Sequence, residues 1–178
     1  MTPSIADGLR DMRVGVLLSL CALLFGFGMG GVFGAFEDSL KGGLEADAQA
    51  VLEARYGGDA AKSKAVVDKA WSYYKRAHMH GGGIGAATLA VILVLAGARA
   101  NPKHSRIAAW ALGFGALGYP IFWLLAGQRA PGLGSTGAAK ESLEWLAIPT
   151  SGALLLGLVL ATFGIASALF GARRPPSS

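Results

Sequence analysis

Hydrophobic positions gather into four long runs, and polar positions fill the segments between them. The runs cover residues 14–36, 81–98, 107–127 and 147–172, and none contains Asp, Glu, Lys or Arg. Each approaches or exceeds the ~20 residues with which a helix crosses a hydrocarbon layer about 30 Å thick. The pattern predicts an all-α integral membrane protein with four transmembrane helices in one domain, residues 1–178. The first run, VGVLLSLCALLFGFGMGGVFGAF, is expected to remain as a spanning helix. It is longer than the ~7–15 residues of a signal-peptide core and ends in Phe36-Glu37-Asp38, not in a small-residue cleavage site.

The segment 37–80 has a helical pattern of its own and is expected to form a partly helical cap outside the membrane. LEADAQAVLEARYGG reads as a short helix stopped by Gly57-Gly58. Asp59 is placed to cap the helix that follows, DAAKSKAVVDKAWSYYKRAHMH. Val67, Trp71, Tyr74 and His78 recur at helical spacing and share one face. Trp71, Tyr73 and Tyr74 suit the headgroup level of a bilayer. Gly81-Gly82-Gly83 then either bends the entry to the second run or lets another backbone approach.

Composition agrees with the pattern. The chain is 53% hydrophobic and 15% charged, with mean hydropathy +0.47. A soluble domain carries roughly 25% charged residues. The net charge of +5 is unevenly placed. Arg10 and Arg13 precede the first run, Arg99, Lys103 and Arg106 lie between the second and third, and Arg173 and Arg174 follow the fourth. Only Asp7 and Asp11 oppose them, so the other two connections are neutral together. The positive-inside rule then puts both termini in the cytoplasm, in a bacterial inner membrane, and segment 37–80 outside. These charges read as topology signals, and no nucleic-acid partner is expected.

Small residues set the expected packing. Gly26, Gly30 and Gly34 make two overlapping GxxxG steps, and Gly157, Gly164 and Gly171 repeat every seventh residue. In lipid such stripes let backbones come close, within the bundle or against a second copy or a larger membrane complex. GFGMGG at Gly26–Gly31 matches the nucleotide-binding string GxGxxG, but it lies inside an apolar run and not after a strand, so it reads as packing. GFGMGG also resembles GFGALG at Gly113–Gly118. IGAATLAVILVLAG resembles SGALLLGLVLATFG, with Gly85 over Gly152 and Gly97 over Gly164. A duplicated helical hairpin would leave such a trace.

The candidate chemistry is at RAHMHGGGIG, Arg76 to Gly85. On an unbroken helix His78 and His80 stand ~200° apart and cannot hold one ion together. A break at the glycines would put them on one side. His78 has Gly81, Gly82 and Gly85 beyond it, a face with room for a flat cofactor or for another helix. Glu37 and Asp38 are expected at the same depth. Imidazole with carboxylate suits Cu, Zn or Fe, so the candidate metal ligands are His78, His80, Glu37 and Asp38. For heme, His78 with Tyr74 and Met29 forms the candidate pocket, because His104 lies about a membrane thickness away. HExxH, ExxH, CxxC and Walker patterns are missing, and the single cysteine, Cys21, can form no disulfide within the chain. The run interiors carry no ionisable residues, which disfavours a channel or transporter. The reading is a small membrane subunit binding metal or heme near the outer face, in a redox or metal-handling role. The alternative is a cofactor-free structural or accessory subunit that packs through glycine-rich faces.

Overall fold

A computed structural model describes residues 4–98 and 100–171. Arg99, Arg173 and Arg174, on which the expected orientation partly rests, lie outside this set. So does Ala172, the last residue of the fourth run. The described chain is helical, without strands: α1 (Ile5–Asp11), α2 (Arg13–Ala50), α3 (Leu52–Tyr56), α4 (Ala60–Ala98), α5 (Pro102–Leu133), α6 (Thr136–Glu141) and α7 (Glu144–Phe170). Four of these, α2, α4, α5 and α7, are long and apolar enough to cross a membrane. Each contains one of the four runs.

Local chemistry fixes the ends. Ser4 and Asp7 form a reciprocal capping box at the start of α1. Asp59 Oδ1 accepts from the Ala61 and Lys62 amides, 3.0 Å each, at the start of α4. Asn101 caps α5 ahead of Pro102, where a missing N–H costs nothing. α3 ends at Gly57, whose φ of +62° is the left-handed stop that favours glycine.

The helices extend beyond their apolar runs. α4 is continuous through Gly81-Gly82-Gly83, so the bend offered by those glycines is not present. The break falls in α2 instead, at Phe36, where φ −135° and ψ 22° leave the helical region. Beyond it, Leu44, Ala48, Tyr56, Val67, Tyr74 and Ala130 are buried together as the core of the cap. Tyr56 ties the cap to α5 by donating its hydroxyl to the Pro131 carbonyl at 2.7 Å.

α5 is the central helix. In its most apolar stretch 61% of positions are buried, against 17% in α2 and 11% in α7. Close approach explains much of this. A Cβ on Gly15 of α2 would overlap the Ala109 carbonyl of α5, and one on Gly113 would meet the Gly15 carbonyl at 2.6 Å. A Cβ on Gly157 of α7 would lie 2.7 Å from the Leu112 amide nitrogen. The two hairpins nevertheless differ in their surroundings. Gly85 of α4 is buried against Leu23 and Ser19 of α2, whereas its counterpart Gly152 of α7 faces open space.

Candidate functional site

α2 and α4 meet at the histidine-glycine motif. Gly26 of α2 lies so close to Gly81 and Gly82 of α4 that a Cβ on Gly26 would strike the Gly82 amide nitrogen, and one on Gly81 would lie 2.9 Å from the Gly26 Cα. One turn toward the start of α4, the His78 ring fills the space between α4 and Gly30 of α2. Its Nδ1 lies 2.7 Å from the Gly26 carbonyl oxygen, which can only accept, so Nδ1 carries the proton and donates. Its Cε1 would be 2.8 Å from a Cβ on Gly30. Phe33 meets the imidazole edge-on at 5.8 Å and stacks with Tyr74 at 6.4 Å. Met29 packs against the buried cluster that contains Tyr74. The structure thus brings His78, Tyr74 and Met29 into one neighbourhood. The room beside His78 is taken by α2.

His80 is on another face of the unbroken helix. It stacks on Tyr119 of α5 with ring centres 5.3 Å apart. Glu37 pairs with Lys41 on its own helix, and the Lys41 ammonium lies 5.1 Å from the Trp71 ring centre. Asp38 is exposed. Among the described residues no three of His, Cys, Asp and Glu come together in a way that could hold a metal ion. The four metal candidates are therefore dispersed over two faces of α4 and the exposed residues that follow the Phe36 break in α2.

Gly34 also departs from expectation. Gly26 and Gly30 face α4, but among the described residues nothing lies within 4 Å of a Cβ on Gly34, Gly28 or Gly31, and all three are exposed. The Phe36 break follows directly, so Glu37 and Asp38 do not continue the packed face.

One grouping was missed in the sequence. Arg76 stacks over Trp123 of α5 at 4.2 Å and over Tyr73 at 5.6 Å. Tyr73 and Trp123 themselves meet at 4.8 Å. The only local signal was the three-residue spacing of Tyr73 and Arg76. Trp123 comes from a helix whose depth the sequence does not give. This stack fastens α4 to α5, and a guanidinium over an indole is worth about 0.5–2 kcal/mol.

Comparison of the chain with models of known protein families, with curated proteins and with solved structures gave no match.

Proposed function

We propose that this chain is a cofactor-free structural or accessory subunit of a membrane, and that α2 packs through an outward glycine face against another membrane helix. The observation that carries this reading is the set of uncovered glycines Gly28, Gly31 and Gly34. A glycine inside a helix costs roughly 0.5–1 kcal/mol relative to alanine. Gly15, Gly26 and Gly30 offset that cost by letting α4, α5 or His78 approach. Gly28, Gly31 and Gly34 have no such neighbour among the described residues. A second helix seated there would supply the close dispersion contacts that glycines in lipid allow. The proposed setting is a bacterial inner membrane with both termini cytoplasmic.

Cys21 makes the test direct. It is exposed and precedes Gly28 by seven residues, about two turns, on the same face. Two copies related by an axis along the membrane normal would bring their Cys21 thiols to one depth. Mild oxidation of membranes should then give a dimer that Cys21→Ser abolishes. An unlinked protein that still migrates in a larger assembly would assign the face to a different subunit. An unlinked protein that is monomeric in mild detergent contradicts the reading.

A second reading has one specific observation behind it. With the Nδ1 proton given to the Gly26 carbonyl, His78 keeps its lone pair on Nε2, and ligating histidines are commonly oriented by such a bond. In this reading His78 Nε2 holds Cu, Zn, Fe or heme in a redox or metal-handling subunit. Protein purified without chelator, carrying stoichiometric metal or a Soret band that His78→Ala removes, would establish it over the first.

A further inference from the structure

We infer that the arginine-lined groove where the start of α2 meets the start of α5 binds the headgroup of an anionic phospholipid. The inference rests on the membrane embedding of these helices and is independent of the glycine face of α2. The groove has a volume of about 420 Å³. Three arginines line it, Arg10, Arg13 and Arg106, with one acidic residue, Asp11. Arg106 lies 3.7 Å from Asp11, and Arg10 lies 3.2 Å from Asp7. Arg13 has no carboxylate partner among the described residues. The lining thus keeps a positive excess, with forked donors suited to a phosphate.

The apolar part of the lining sits where acyl chains would. Arg13 directly precedes the apolar run that starts at Val14, and Arg106 directly precedes the one that starts at Ile107. Val14, Ile107 and Trp110 line the groove and are about half exposed. Trp110 stacks flat on Phe114 at 5.3 Å and 3°, which continues the apolar surface along α5. At Gly15 the two helices touch, through the Ala109 carbonyl, and close the floor. A ligand must therefore hold its charge at the arginines and lay its chains outward along the helices. A phospholipid has that shape. A soluble phosphate would leave the apolar lining unused.

The test uses the full chain, purified in detergent and titrated with phosphatidylglycerol, with phosphatidylcholine of the same chains, and with inorganic phosphate, bound ligand being read by native mass spectrometry. Wild type should prefer phosphatidylglycerol over both other ligands. A basic residue near an anionic headgroup contributes about fivefold in affinity, so Arg13→Gln should lose about fivefold and Arg13→Gln with Arg106→Gln about thirtyfold. Lys103→Gln makes the same change in net charge on an exposed residue outside the groove and should lose less than about twofold. Trp110→Ala should weaken long-chain phosphatidylglycerol more than its short-chain analogue. Equal losses from Arg13→Gln and Lys103→Gln would overturn the site in favour of diffuse surface charge. So would equal affinity for phosphatidylcholine, or for inorganic phosphate.

Discussion

At His78 one hydrogen bond decides what the imidazole does. The Gly26 carbonyl already has its helical partner direction along α2, and it takes a second bond from His78 Nδ1 at 2.7 Å across the helix interface. His78→Ala should remove that bond and leave a ring-sized gap beside Gly30, lowering stability by about 1–3 kcal/mol. His80→Ala breaks only a stacking contact with Tyr119 and should cost less, about 0.5–1.5 kcal/mol. Denaturant titration of the purified variants checks the order, and a larger loss from His80→Ala would contradict it. Glycine substitutions should split in the same way. Gly30→Leu strikes the His78 ring and should destabilise the monomer, whereas Gly34→Leu meets open space and should leave its melting temperature unchanged. The face shared by Val67, Trp71, Tyr74 and His78 was legible, because a helical period is local. The partner of His78 was not, because Gly26 lies 52 residues away and two glycine stripes give no signal for which of their members face each other.

At the scale of the element, the cap depends on how α3 turns into α4 and how Tyr56 reaches α5. Tyr56→Phe keeps the ring and loses the bond to the Pro131 carbonyl, which should cost about 1 kcal/mol. Burial raises the Tyr56 phenol above its ordinary 10.0. The folded state therefore holds this proton more tightly than the unfolded one. The stability it contributes is complete below pH 10.0 and declines as pH rises past that value toward the raised one. Tyr56→Phe should remove that part of the alkaline decline. Asp59 has the opposite sign. The Lys62 amide, chiefly, holds its carboxyl below the usual 3.8, so its contribution is present above that value and is lost as pH falls through the lowered one. In melting curves at graded acidity Asp59→Asn should lose this acid sensitivity. The stop at Gly57 and the cap at Asp59 were readable because turn and cap chemistry are written within a few residues. The course of α4 through Gly81-Gly82-Gly83 was not. Gly81 lies against Gly26 and Phe25 of α2, Gly85 lies against Leu23 and Ser19, and the helix continues between them. The break at Phe36 had no proline or glycine pair at the position itself to mark it.

In the whole molecule, α5 is the core around which α2, α4 and α7 are arranged, and the bundle is lopsided. The four apolar runs gave the number of long apolar helices but not their arrangement: α7 has the highest mean hydropathy, 2.3, yet the mostly buried helix is α5, with the lowest, 1.5. Large apolar residues such as Leu24, Phe27, Leu155 and Phe163 are left exposed on the surface of the bundle. Net charge belongs to this scale too. Along the sequence all of it falls in the two tails and the connection between α4 and α5. A reporter fused after Ser178 should be active only if it works in the cytoplasm, and activity of a reporter that needs the far side would reverse the orientation. The central claim, that α2 uses its outward glycines to seat another helix, is tested most directly by the mass of the protein in mild detergent, measured by light scattering after gel filtration. Wild type should run as an assembly larger than the 18.2 kDa monomer. Gly28→Leu with Gly31→Leu should fall to the monomer mass with unchanged helical content, because nothing among the described residues lies within 4 Å of a Cβ at either position. A wild-type protein of monomer mass, or a double variant that keeps the wild-type mass, would contradict the account.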